Sequence, residues 1–399
     1  MSLLEFHAAR ERLIAAARRV SGIDRLPLSD ALGRVLAEAI VSDADVPPFD
    51  SSGMDGYAVR CADLTSAGVD LPIAQRIVAG SVGQPLAAGT VARIFTGAPV
   101  PAGADAVVMQ EVCSHAGEGR VRIERLPRVG ENLRRAGEDI RAGDEILGAG
   151  RLIDAAAIGL AASIGRAILP VWRRLSAVVF STGDELLQPG QTPFPGALFD
   201  ANRPMLIALL RQLGCMVRDG GALPDDLAAT RRALTRAAEE HDLILTSGGV
   251  SVGEEDHVRT ALALDGELTL WKVAIKPGKP LVHGRIGQCD LIGLPGNPVS
   301  AYVTFQILAR PFIRRCQGLA QVLPQPRAAT AGFSWDKPCP RHEFLRVRQE
   351  ADGRLALFPR QGSGVLTSCA WADGLVENPP ETTIQPGDTV CYLPFAELP

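Results

Sequence analysis

The stretch HDLILTSGGVSVGEEDH, residues 241–257, decides how this chain is read. Its first half, DLILTSGG, is a continuous apolar run ending in two glycines, Gly248 and Gly249. A strand that is apolar throughout, rather than alternating, belongs to a sheet covered on both faces. Glycines at its C-terminal end let backbone N–H groups approach an anion closely. Three carboxylates follow within one turn, Glu254, Glu255 and Asp256. One such turn can be an ordinary surface loop. It can also hold a phosphate, a metal ion or both.

Working outward, the same texture repeats on either side. LSAVVF reads as a buried strand, and NRPMLIALLRQLG as a helix with a glycine stop. CMVRDGGAL is a second strand, and DDLAATRRALTRAAEEH a helix with Asp225 or Asp226 as its N-cap. DLILTSGG is the third strand, LTLWKVAI a fourth and CDLIGL a fifth. PGNPVSAYVTFQILARPFI then starts a helix, with Asn297 capping and Pro298 at its first position. Alternation of this length predicts a doubly wound, mostly parallel α/β domain over residues 171–318. Right-handed crossovers put the strand C-termini on one edge, where ligands bind.

The rest of the chain differs in texture. Residues 41–138 are rich in Gly, Pro and short Val/Ile runs, the pattern of a β-rich inserted domain. Residues 1–40 and 139–170 read together as an elongated helical and extended domain. Residues 319–399 read as a small C-terminal β domain, with EFLRVRQEADGRLALFPR as a hairpin and LPQPRAATAG as a linker. The expected fold is thus α/β plus β, in a multidomain, elongated chain. At the N-terminus, Ser2 and Glu5 make a capping-box pattern, and Phe6, Ala9, Leu13, Ala17 and Val20 fall on one helical face.

Composition excludes several classes. Among 399 residues, Lys plus Arg total 41 and Asp plus Glu total 45, which argues against a nucleic-acid binder driven by bulk charge. No apolar segment is long enough to span a bilayer, and the charged N-terminus is not a signal peptide. The eight cysteines are spread out, with no CxxC pair, as for reduced thiols in a cytoplasmic protein.

Four strand-end loops carry the chemistry: STGDEL (181–186), PDD (224–226), TSGGVSVGEEDH (246–257) and LPGNPVS (294–300). They bring Ser181, Thr182, Gly183, Ser247, Gly248, Gly249, Ser251, Pro295 and Asn297 to one edge as candidate phosphate ligands. Their acids, Asp184, Glu185, Asp225, Asp226, Glu254, Glu255 and Asp256, need a cation beside a phosphate. Mg²⁺ fits, because it takes oxygen ligands and bridges to substrate phosphates. Helix capping is the competing reading for some of these acids, Asp225 or Asp226 above all, while Glu254 and Glu255 suit solvent. WKVAIKPGKP supplies opposite charge through Lys272, Lys276 and Lys279, stiffened by two prolines. In the β-rich region, PPFDSSGMDGYAVR reads equally as a rigid loop presenting Asp50 and Asp55 or as a structural turn, and RIFTGAPVPAGADAVV carries Thr96. The histidines form no metal set by spacing.

Together these segments resemble the molybdopterin molybdenumtransferase family, the MoeA type, to which the C-terminal domain of gephyrin also belongs. The marks, in family order, are PPFDSSGMDGYAVR, RIFTGAPVPAGADAVVMQE, GENLRRAGEDI, STGDEL, TSGGVSVGEEDH, WKVAIKPGKP and GLPGNPVSA. One departure is SSGM after PPFD, where many members have NSAM. The resemblance implies that molybdate and adenylylated molybdopterin are the substrates, with Mg²⁺ involved and AMP released. It implies catalytic roles for Asp55, Thr96, Asp139, Glu185, Asp225 and Asp256. Of these, Glu185, Asp225 and Asp256 are the implied metal ligands. It also implies an elongated homodimer, in which one subunit's β-rich domain meets the other's α/β domain. A molybdopterin adenylyltransferase and cofactor-accepting enzymes are the protein partners it suggests. Two rivals remain. A molybdopterin adenylyltransferase resembles residues 171–318 only, and a receptor-organising scaffold would need no intact site.

Overall fold

The computed structural model describes residues 3–250 and 256–398. Its centre is a six-stranded sheet. The strands are β1 (Ser176–Thr182), β2 (Met216–Leu223), β3 (Leu243–Ser247), β4 (Glu267–Trp271), β5 (Val282–Ile286) and β6 (Cys289–Leu294). They lie in the order β2-β1-β3-β6-β5-β4. β2, β1, β3 and β6 pair in parallel, whereas β5 is antiparallel to both β6 and β4. Every residue of β3 and of β6 is buried, as continuous apolar runs require of central strands.

Two apolar clusters cover the sheet's faces. One contains Ala177, Val179, Leu206, Leu210, Leu245, Ile292, Phe305 and Phe312; the other contains Val178, Leu234, Ile244, Val258, Leu262 and Leu291. Alternate residues of each strand point to opposite faces, so Val178 and Val179 belong to different clusters. The helices between strands are α2 (Asn202–Gln212), α3 (Leu227–Glu240) and α4 (His257–Asp265). After β6 comes α5 (Pro298–Thr304), which continues through a π-helical turn, Phe305–Ala309, into Arg310–Cys316.

Four expectations are corrected here. LTLWKVAI is not one strand. β4 ends at Trp271, and Ile275–Lys276 crosses to the C-terminal sheet, where it pairs in parallel with the strand His342–Gln349. The segment LVHGRI, unassigned by sequence pattern, supplies β5, because His283 is buried and its ring is held by Asp290 and Thr269. The proposed linker contains a strand, Arg327–Thr330, paired with Thr389–Pro394. The N-terminal helix α1 (Phe6–Ala16) buries Phe6, Ala9 and Leu13 in the α/β core, while its Ile14 packs on the same cluster as Leu152. Glu5 itself caps α1, its carboxylate accepting from His7 N and Ala8 N, and Ser2 lies outside the described residues.

The remaining sheets follow the predicted textures. Six strands between Gly56 and Ile123 form one sheet, packed around Val59, Leu71, Val91, Val108 and Ile123. Ile23–Pro27 pairs antiparallel with Ile168–Trp172, beside a cluster of Leu36, Ile40, Leu147, Ile153 and Leu169. The C-terminal sheet includes the predicted hairpin, His342–Gln349 with Leu355–Leu357, turning at Asp352 and Gly353. Among the described residues no helix is long and apolar enough to cross a membrane.

Candidate active site

The register of the central sheet aligns its strand ends. Thr182 faces Leu223, Ser181 faces Ser247, and Ser247 faces Leu294. The loops beginning at Gly183, Pro224, Gly248 and Pro295 therefore leave the same edge. Gly248 has φ of +92°, and a Cβ there would sit 2.4 Å from Thr182 Oγ1. Only glycine fits where the β1 and β3 loops touch. Gly249 follows at φ of +69°, packed on Val258 and on the Thr182 methyl group.

A cavity of about 800 Å³ opens at this edge. Its walls include Ser181, Thr182, Glu185, Ser247, Pro295 and Asn297, all named from sequence. Lys276 and Lys279 form part of the wall, across from Glu185's strand-end loop. Asn297 holds the N-cap position of α5 but its side chain makes no capping bond, so it faces the cavity. Ser247 is buried, and its Oγ accepts from Asn202 Nδ2 at 2.7 Å. The same amide donates to Gly296 O at 2.6 Å, tying the β3 and β6 loops together. Ser181 is 1% exposed, and its Oγ accepts from Arg203 Nη1 at 2.9 Å. Arg203 is itself buried between Asp200 and Asp219.

The acids separate into different roles. Asp226 caps α3, its carboxylate accepting from Ala229 N at 2.6 Å. Asp225 does not cap. It faces Asp184 in a reciprocal pair, each backbone N–H donating to the other's carboxylate at 3.3 Å. Asp256 occupies the N-cap position of α4 without a side-chain capping bond. Ser251, Glu254 and Glu255 lie outside the described residues. Among the described residues, Glu185, Asp225 and Asp256 do not bring three carboxylate oxygens within 4.8 Å of one another. All are hard oxygen donors on adjoining loops, the chemistry Mg²⁺ prefers. That ion takes only one or two carboxylates and completes its shell with water and phosphate oxygens, so the residues fit it without a closed cage.

The three remaining sequence-named catalytic residues lie elsewhere. Asp55 Oδ1 accepts from the Thr96 amide at 2.8 Å and from the Thr96 hydroxyl at 2.7 Å. Those two donors hold the Asp55 carboxyl below the usual aspartate range. Asp139 is exposed, and its backbone N–H donates to Val46 O. Asp50 is spent on structure, because Ala136 N and Arg135 Nη1 both donate to it. Among the described residues, none lining the cavity comes from residues 41–138. Gly183, Gly248, Gly249, Asp225, Asp256 and Lys272 are likewise absent from its walls, and Lys272 adopts a left-handed φ of 64°.

Sequence reasoning missed two parts of the wall. Arg341, Gln361, Gly362 and Ser363 come from the C-terminal region, and Leu198 and Phe199 are exposed apolar residues ahead of α2. The separate β domain gave no sign that it closes the cavity; the crossing of Ile275–Lys276 onto its sheet and the bond from Val299 N to Ser363 O bring it there. Glu5, His7 and His342 do approach one another, within 4.8 Å, although spacing suggested no histidine set. Both Glu5 oxygens already cap α1, and Arg10 donates to His7 Nδ1, so the group is a polar junction between α1 and the C-terminal sheet.

The fold is a multidomain α/β protein whose sheet edge pairs glycine loops and hydroxyls with lysines and carboxylates, the groups that a polyanionic small molecule needs. Comparison with known proteins gives the family. Residues 4–165 match "MoeA N-terminal region (domain I and II)", 178–315 match "Probable molybdopterin binding domain", and 328–395 match "MoeA C-terminal region (domain IV)". The chain is 36% identical to a molybdopterin molybdenumtransferase of Haemophilus influenzae, covering 99% of this chain and 100% of that one. It is 37% identical to molybdopterin molybdenumtransferase 2 of Mycobacterium tuberculosis, over 92% of this chain and 94% of that one. A crystal structure of a molybdopterin biosynthesis MoeA protein from Pyrococcus horikoshii superposes with a TM-score of 0.83 at 30% identity, covering 99% of both chains. The chain belongs to the MoeA family of molybdopterin molybdenumtransferases, and it is an enzyme.

Proposed function

We propose that this enzyme inserts molybdenum from molybdate into adenylylated molybdopterin, with Mg²⁺-dependent release of AMP, to give molybdenum cofactor. The observation that carries the reading is the shared cavity. Lys276, Lys279 and Arg341 line it together with Ser181, Thr182, Ser247 and Glu185. An oxyanion and a diphosphate each need positive charge and N–H or O–H donors, and both kinds of group are present. The amides and hydroxyls of the β1, β3 and β6 loops orient the diphosphate. Lys279 and Arg341 hold molybdate against it. Phe199 and Leu198 offer an apolar wall to a planar ring.

Glu185, Asp225 and Asp256 are the residues that would hold Mg²⁺. The ion would neutralise charge on the phosphate oxygens. With reactants and charges so positioned, no protein nucleophile is required. Asp55, Thr96 and Asp139 act from the β-rich region of a second subunit, in a homodimer whose sites are shared. That arrangement accounts for their distance from the cavity within one chain. The reading divides the chain into residues 1–40 with 139–170, 41–138, 171–318 and 319–399; separate apolar clusters support the first two units, while one cluster joins α1, the α/β unit and Phe344, Leu375 and Leu393 of the last. A cytoplasmic site of action is part of the same reading.

The test is AMP release by purified protein given adenylylated molybdopterin, molybdate and Mg²⁺. Asp256→Ala and Lys279→Ala should each slow release by about a hundredfold, the loss typical of removing one charge-stabilising group. Release at the unaltered rate in both variants would remove these residues from the site. Adenylylation of free molybdopterin by ATP would favour the adenylyltransferase rival instead.

A further inference from the structure

Lys276 lines the cavity, but its ammonium is not alone there. Nζ lies 2.8 Å from Glu343 Oε1, a carboxylate only 1% exposed on the C-terminal sheet. Glu343 is fixed from its other oxygen, where Trp335 Nε1 donates to Oε2 at 2.8 Å. The indole also lies under the ammonium, with its ring centroid 5.8 Å from Nζ. The backbone enforces the pairing. Ile275 and Lys276 sit opposite His342 and Glu343 in parallel register, and Arg341 Nη1 donates to Ile275 O at 2.8 Å.

We propose that Glu343 is a positioning residue: it pins Lys276 at the cavity wall so that the ammonium's free N–H groups meet the incoming oxyanion. The ammonium carries three N–H groups, and its 2.8 Å contact with Glu343 Oε1 engages at most one of them, which leaves the others for the oxyanion. A carboxylate this deeply buried cannot stay unpaired, so it holds its lysine firmly. A lysine stem is otherwise flexible and would sample solvent. The C-terminal domain thus contributes more than a wall. It presents one cation of the site in a fixed place and leaves Lys279 and Arg341 to supply the uncompensated charge.

Two effects of Glu343→Gln oppose each other, and their sign decides the question. Removing a negative charge near the cavity would by itself tighten anion binding. Releasing Lys276 would weaken it. Positioning predicts that Glu343→Gln weakens molybdate binding and raises its KM by about tenfold, with kcat little changed. Lys276→Ala should do the same, and the double variant should be no worse than Lys276→Ala alone. Trp335→Phe keeps the ring and removes the donor; it should shift KM the same way but less, and it serves if Glu343→Gln does not fold.

Binding is read by calorimetry with molybdate or tungstate, and turnover by AMP release. Tighter or unchanged binding in Glu343→Gln overturns the proposal. So do additive losses in the double variant, or a lower melting temperature with KM unmoved. The proposal rests on the transferase reading above. A wild-type protein that binds neither oxyanion and releases no AMP overturns both, whereas an active wild type with an unaffected Glu343→Gln overturns this one alone.

Discussion

Asp55 and Thr96 are 41 residues apart, yet two donors of one residue converge on one oxygen of the other. Sequence named both residues through their motifs. It could not show that Thr96 holds Asp55 ionised, because the contact exists only once two strands of the β-rich sheet align Gly56 with Ile94. The sign of the shift makes a prediction. A carboxyl held below its usual value contributes stability that is present above the unfolded-state value. That contribution is lost as pH falls through the folded value. Thr96→Val deletes the hydroxyl and keeps the amide, so the Asp55 carboxyl should move up toward the ordinary aspartate range in an NMR titration. An unmoved Asp55 resonance would show that the hydroxyl does not act on it. The stability difference between the two proteins should fade as pH drops below about 4.

At the scale of elements, the site rests on how strands begin as well as on how they end. Asp242 starts β3, accepts from Arg173 Nη1 and Nη2 at 2.7 Å each, and accepts from Ser176 N at 2.8 Å. Burial pushes its carboxyl up, but the guanidinium and the amide outweigh it and hold the carboxyl low. This clamp sets the register of β1 against β3, and hence aligns Ser181 with Ser247 at the far end. Asp242→Asn should destabilise the fold by about 1–3 kcal/mol at neutral pH, the range for a charge-assisted hydrogen-bonded group that is partly open to solvent. The difference should shrink as pH falls through the folded value, below about 4, where the wild-type carboxyl also loses its charge. Urea unfolding at pH 7 and at an acid pH where NMR shows the wild-type carboxyl protonated measures both. A loss equal at the two pH values would mean that shape, not charge, matters there. The elements themselves were legible from apolar runs and from caps such as Asp226 and Pro298. β5 was not, because its buried histidine and half-buried arginine break the apolar pattern and find their partners, Asp290, Thr269 and Ala16 O, only in the folded chain.

For the whole molecule, the central question is whether Asp55 and Thr96 serve a cavity that, among the described residues, 41–138 do not line. A site shared between two copies of the chain makes a quantitative prediction. Mixing inactive Asp55→Ala with inactive Lys279→Ala, after subunit exchange, should restore about a quarter of wild-type AMP release, since half the dimers are mixed and each mixed dimer rebuilds one of its two sites. No recovery, in a mixture shown by mass spectrometry to contain mixed dimers, would place both residues in the same subunit's site.

The sequence alone determined the local facts. Runs of apolar residues specified the central strands, glycines marked where backbones touch, and strand-helix alternation placed the loops of Ser181, Asp225, Ser247 and Asn297 on one edge. These follow from periodicity and backbone sterics, which act over a few residues. Tertiary structure alone decided that Asp226 caps while Asp225 pairs with Asp184, that Lys276 is paired, and that the C-terminal region supplies Arg341 and Glu343. Those outcomes depend on contacts between segments far apart in the chain, and no local pattern encodes a distance across the fold.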